Sequence, residues 1–157
     1  MQARTKVVEL KGLSFELRRL LPEVGSFIFM RMMGMNMRMA QENAERTAPK
    51  PEQQQPSVET AEPDEVISGE LKVRALAFSV FAGGIAFDDF KFIQSACLKA
   101  VSRKNDAGLY MPIMSDGGVW TGDGKEVRDD VGLVMQLTTE VLIFCFADFF
   151  EETSPGT

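Results

Sequence analysis

Residues 27–39 read FIFMRMMGMNMRM, from Phe27 to Met39, and the way this stretch is read decides the fold. Six of the chain's ten methionines fall between Met30 and Met39, with Phe27, Ile28 and Phe29 just upstream. On a 3.6-residue helix, Ile28, Met32, Met35 and Met39 form one stripe. Phe27, Met30 and Met37 form a second, with Gly34 between the two methionines. Arg31 and Arg38 share the one charged edge. A helix apolar around most of its circumference carries more surface than one small core normally covers, so part of it is expected to meet a partner. Methionine suits either role: it fills irregular cores, and being unbranched and polarizable it repacks against varied apolar surfaces. Both core filling and partner binding fit the pattern.

Outward from that helix, Thr5 to Leu10 and Ser14 to Arg18 alternate apolar and polar residues around Lys11 and Gly12, which predicts an opening β-hairpin. Pro22 fits the first helical turn and Glu23 the positive helix end, and the helix is expected to run to about Arg46. Residues 47–65 hold four prolines, many Glu and Gln and only Val58 as a sizeable apolar side chain, so they read as a linker or disordered loop. From Val66 a helical pattern runs to about Phe81, and Gly83 and Gly84 break it. A third helix, capped by Asp88 or Asp89, places Phe90, Ile93, Cys97, Leu98 and Val101 on one face, with Lys99, Arg103 and Lys104 near its end. Leu109 to Met114 and Val119 to Thr121, separated by SDGG, predict a second short hairpin. Residues 126–130 lead into a last helix that closes on VLIFCFADFF, and residues 151–157 read as a polar tail.

The predicted fold class is α+β, mainly α: a small N-terminal hairpin, then a helix bundle with a second short hairpin. A chain of 157 residues, 45% hydrophobic and 25% charged, suits one domain, with residues 1–46 and 66–150 sharing its core across the linker. The net charge of −6 is uneven. Residues 1–46 carry 8 Lys/Arg against 5 Asp/Glu, and the remainder carries 9 against 18. This acidic bulk argues against nucleic acid as a partner. Arg18, Arg19, Arg31 and Arg38 are available to an acidic client, or simply keep the protein soluble.

There is no histidine, which removes the commonest general base and neutral metal ligand and every Ser-His or Cys-His pair. No catalysis and no cofactor are therefore expected. Asp116, Asp123, Asp129 and Asp130 lack the register of a calcium loop and suit turns and caps. GGVWTGDGK lacks phosphate-loop spacing. Cys97 and Cys145 read as buried free thiols of a reducing cytosol. MQARTKVVELKG lacks the apolar run of a signal peptide. Val131 to Phe150 approaches membrane-spanning length, but Gln136, Thr138, Thr139, Glu140 and Asp148 argue against a membrane. Phe144, Phe146, Phe149 and Phe150 cannot all face one core from one helix, so some are expected to touch another element or another chain.

FELRRLLPEVGSFIF at Phe15 to Phe29, an aromatic strand followed by Leu-Pro and a helix, together with the closing aromatic and acidic VLIFCFADFF, resembles the small tail assembly chaperones of long-tailed bacteriophages. The two pieces cover about a sixth of the chain; the Met-rich stretch and the linker lie outside the resemblance. It implies a helical protein of the host cell cytoplasm that binds the long, helical, apolar tape measure protein and keeps it soluble until tail tube subunits polymerise around it. The partner-binding residues expected are Phe27, Ile28, Met30, Met32, Met35, Met37, Met39, Phe146, Phe149 and Phe150. The alternative is a structural virion or self-associating oligomeric subunit. Changing Met32 and Met35 to serine is expected to abolish partner binding with the fold intact; unfolding instead would mark that stripe as core.

Overall fold

A computed structural model describes residues 3–46 and 68–152. Its strands are β1 (Thr5–Leu10), β2 (Leu13–Arg18), β3 (Val101–Lys104) and β4 (Tyr110–Pro112), and its helices α1 (Pro22–Arg46), α2 (Gly69–Ala82), α3 (Phe87–Lys99), α4 (Lys125–Arg128) and α5 (Val131–Glu152). The expected class holds: mainly helical, with an N-terminal hairpin, helices and a later short hairpin. The linker, residues 47–65, lies outside the described residues, as does the tail beyond Glu152. Glu151 and Glu152, expected in the tail, are helical.

The opening hairpin forms as its pattern requires. Leu10 pairs with Leu13 across a two-residue turn in which Lys11 and Gly12 both have positive φ, 52° and 79°. Such a turn matches the right-handed twist of the strands it joins. On β2 the alternation buries Phe15 and Leu17 completely.

The second hairpin differs from its prediction. The third helix stops at Lys99, and Val101–Lys104, expected to continue it, is a strand that pairs antiparallel with β2 on one side and β4 on the other. One four-stranded sheet, ordered β1-β2-β3-β4, therefore replaces two separate hairpins. The physical reason is tertiary: β2 has a free edge, and Phe15, Glu16 and Leu17 offer it to Arg103, Ser102 and Val101. Pairing satisfies the backbone of 101–104 while Val101 enters the core. The predicted turn at SDGG survives as one bridge between Met114 and Trp120.

α5 runs through the centre of the molecule. Leu133, Leu137, Val141, Leu142 and Ile143 are buried, mainly against α2, α3 and the sheet. By length and composition it is apolar enough to cross a membrane. Here it serves as a core helix several of whose polar groups find partners within the chain. The Thr138 and Thr139 hydroxyls donate to the carbonyls of Val134 and Met135, and Arg74 pairs with Glu140 at 2.7 Å. α2 approaches so closely that a Cβ on Gly69 would collide with the Ala147 carbonyl. Asp130 caps α5, accepting from the Leu133 N–H at 3.1 Å and from Lys11 Nζ at 2.7 Å. The latter bond ties the hairpin turn to the helix start.

Candidate functional site

The two stripes of α1 have opposite fates. Ile28 and Met32 are fully buried and Met35 nearly so, in one core with Val73, Val80 and Ile93. Met39 is half-buried, its thioether against Gly83. Phe27, Met30 and Met37 are 53%, 67% and 61% exposed. Gly34, on the same row, is exposed, and a Cβ there would meet no atom within 4 Å. Ile28, Met32 and Met35, expected to bind a partner, are instead core residues. α1 docks that side onto α2, and covering its own protein's apolar surface is what the stripe does. Serine at Met32 or Met35 therefore attacks the fold rather than a binding face.

The closing aromatics behave likewise. Phe146 is buried, which removes it from any partner surface, and Phe149 is half-exposed. Phe29 of α1 gathers Phe146, Phe149 and Phe150 around it, with ring centroids 5.3, 4.8 and 6.0 Å away. The crowding of aromatics at the end of α5 is thus met largely by another element of the same chain. Phe144 lies under the Arg19 guanidinium, 4.3 Å from its centroid, and Arg19 Nη1 donates to the Phe144 carbonyl at 3.0 Å. These contacts and the Asp148 carboxylate at 3.8 Å occupy Arg19 within the chain.

What remains open is an apolar belt centred on α1. Phe27, Met30, Gly34 and Met37 run along the helix. Phe92 of α3, 46% exposed, packs edge-on against Phe27 at 5.5 Å. On the other flank, Met30, Phe29 and Phe149 line a cleft of about 490 Å³ between α1 and α5. Phe92 was missed in the sequence, although its position off the Ile93–Cys97 stripe of α3 was a usable signal: a large aromatic on the polar face lacks an internal reason.

Arg31 pairs with Asp89 at 2.8 Å, while Arg18 and Arg38 meet no carboxylate among the described residues. Among those residues, no three His, Cys, Asp or Glu come together where they would hold a metal ion. Burial raises the Cys97 thiol pKa well above its ordinary value, with Cys145 adding to the effect. Cys145 is raised by burial too, against an N–H from Leu20. Both thiols therefore stay protonated and poorly nucleophilic at neutral pH.

Comparison with protein families, with curated proteins and with solved structures finds no match to this chain.

Proposed function

We propose that this protein is a holding chaperone for an apolar helical client, the tape measure protein of a long-tailed bacteriophage during tail assembly, acting in the host cytoplasm without catalysis or cofactor. The observation that carries the reading is the outward row Phe27, Met30, Gly34 and Met37 on a helix whose opposite stripe is already committed to the core. The helix can thus offer one face to a client without giving up its own packing. A client helix laid along this row gains about 2.5 kcal/mol gross for each 100 Å² of apolar surface covered. Methionine makes that gain tolerant of the client's exact side chains. Gly34 lets a client backbone come closer there than any other residue would. Many copies along a long client would add their modest affinities through its length. The resemblance of Phe15 to Phe29 and of the closing aromatic run to tail assembly chaperones supports the choice of client.

The test is a pull-down of the tagged protein from phage-infected cells with mass spectrometry, run beside a Met30→Ser/Met37→Ser double variant. The expected result is enrichment of one long helical tail protein, identified as the tape measure protein, by the parent and not by the variant. Equal recovery with both proteins would refute the outward row as the client's seat, and recovery of the bait alone as a defined self-assembled ring would refute the proposal and favour a structural subunit.

A further inference from the structure

The apolar belt has a basic end. Where β2 turns into α1, a cleft of about 400 Å³ opens between that junction and α3. Its lining offers apolar surface from Leu21, 68% exposed, with Val24 and Phe92. Arg18 and Lys99 line the same cleft. Arg18 Nη2 donates to the Lys99 carbonyl at 2.8 Å, which holds the guanidinium in place without neutralising it. Neither cation has a carboxylate partner among the described residues. Arg19 also reaches the cleft but is engaged with Asp148, and Asp116 is the one acid in the lining. Two unpaired cations over exposed leucine and phenylalanine contrast with a chain of net charge −6.

The geometry points to a docking site for an apolar helix that carries carboxylates at one end. An aliphatic or aromatic side chain of that helix fills the cleft against Leu21 and Phe92. One or two Glu or Asp residues beside it meet Arg18 and Lys99, and the helix continues along Phe27, Met30, Gly34 and Met37. Phe92, which touches both the cleft and Phe27, makes the two surfaces continuous. The inference rests on the client-binding reading above and adds the client's chemistry and polarity: apolar burial gives affinity, and the cations fix which end of the client lies near the start of α1.

Three fluorescein-labelled amphipathic 14-residue peptides test it, built from Leu with Glu, Leu with Gln and Leu with Lys, and titrated with the full chain by anisotropy. The Glu peptide is expected to bind about five- to tenfold tighter than the Gln peptide, and the Lys peptide weakest. Lys99→Gln should reduce the Glu-over-Gln preference about two- to fivefold, as for a partly exposed ion pair, and 0.5 M salt should do the same. Leu21→Ser, at a side chain too exposed to matter for folding, should weaken the Glu and Gln peptides alike. Equal binding of the three peptides overturns the assignment of an acidic partner, and an unchanged Kd in Leu21→Ser overturns the cleft as its seat. Failure of every peptide to bind, while the tape measure protein is still captured, overturns this inference and leaves the client reading standing. Indifference of both peptide and client to Met30→Ser/Met37→Ser refutes both.

Discussion

Truncating Met32 to alanine should separate the two faces of α1 by energy. Met32 is 0% exposed, surrounded by the core that Ile28, Met35 and α2 share. Alanine removes three heavy atoms, roughly 2.4 kcal/mol of transfer free energy at about 0.8 kcal/mol per methylene-sized group. A residual cavity of about 50 Å³, at about 24 cal/mol per Å³, adds about 1.2 kcal/mol. The expected loss is about 3.5 kcal/mol, against a total stability of about 5–15 kcal/mol for a domain. The same truncation at Met37, 61% exposed and on the outward row, should cost about 0.5 kcal/mol or less. Urea unfolding followed by far-UV circular dichroism and by fluorescence of Trp120, the chain's only tryptophan, reads both losses, and coincident transitions establish two-state behaviour. In a thermal scan the Met32→Ala variant should melt about 7–14 °C lower. A Met37→Ala loss as large as that of Met32→Ala, or a Met32→Ala loss below about 1 kcal/mol, would mean that α1 buries a different side, and the reasoning about the open row would fall with it.

Gly34→Ala should stabilise the free protein by about 0.5–1 kcal/mol, because the residue is helical and the added methyl meets open space; a loss of stability on urea unfolding would show that something covers the site. Gly69→Ala should destabilise by more than 1 kcal/mol, since its Cβ meets the Ala147 carbonyl where α2 crosses α5, and an unchanged melting temperature would contradict that close approach. The Lys11 hydrogen bond and the Leu133 N–H hold the Asp130 carboxyl below its ordinary 3.8, so its contribution to stability is full above that value and fades as the pH falls through the lowered folded-state value. Asparagine still caps a helix, so the stability gap between parent and Asp130→Asn should narrow below about pH 4 in acid-titrated urea melts; a gap that is flat with pH would remove the charge from the argument. Native protein should leave Cys97 unmodified by iodoacetamide at pH 7.5, with rapid labelling only after unfolding; labelling at the rate of a free thiol would contradict its burial.

Local chemistry made much of this architecture legible. The Lys11–Gly12 turn between alternating runs marked the first hairpin, and Pro22 with Glu23 marked the start of α1. The methionine periodicity resolved into two rows, which α1 keeps. Sequence could not choose between those rows, because each is equally apolar and a helix viewed alone has no inside. The same limit holds for Val101 to Lys104: the apolar spacing through Val101 continues a helical face as readily as it begins a strand, and only the free edge of β2, far earlier in the chain, decides for the strand. That some of Phe144, Phe146, Phe149 and Phe150 must meet another element is legible in the sequence, but Phe29 as the partner of Phe146, Phe149 and Phe150 is a fact of packing.

By itself the sequence determined the class of fold, the opening hairpin, the absence of histidine chemistry and the surplus of apolar surface on α1 and α5, since these depend on residue type and on neighbours within a turn or two. Tertiary structure alone decided which surplus is spent inside. It buried Ile28, Met32, Met35 and Phe146, left Phe27, Met30 and Met37 open, and set Arg18 and Lys99, distant in sequence, in one cleft with Leu21 and Phe92. The physical reason is that burial and charge pairing are properties of what lies opposite a side chain, and what lies opposite is settled only when the sheet and α5 bring distant segments together.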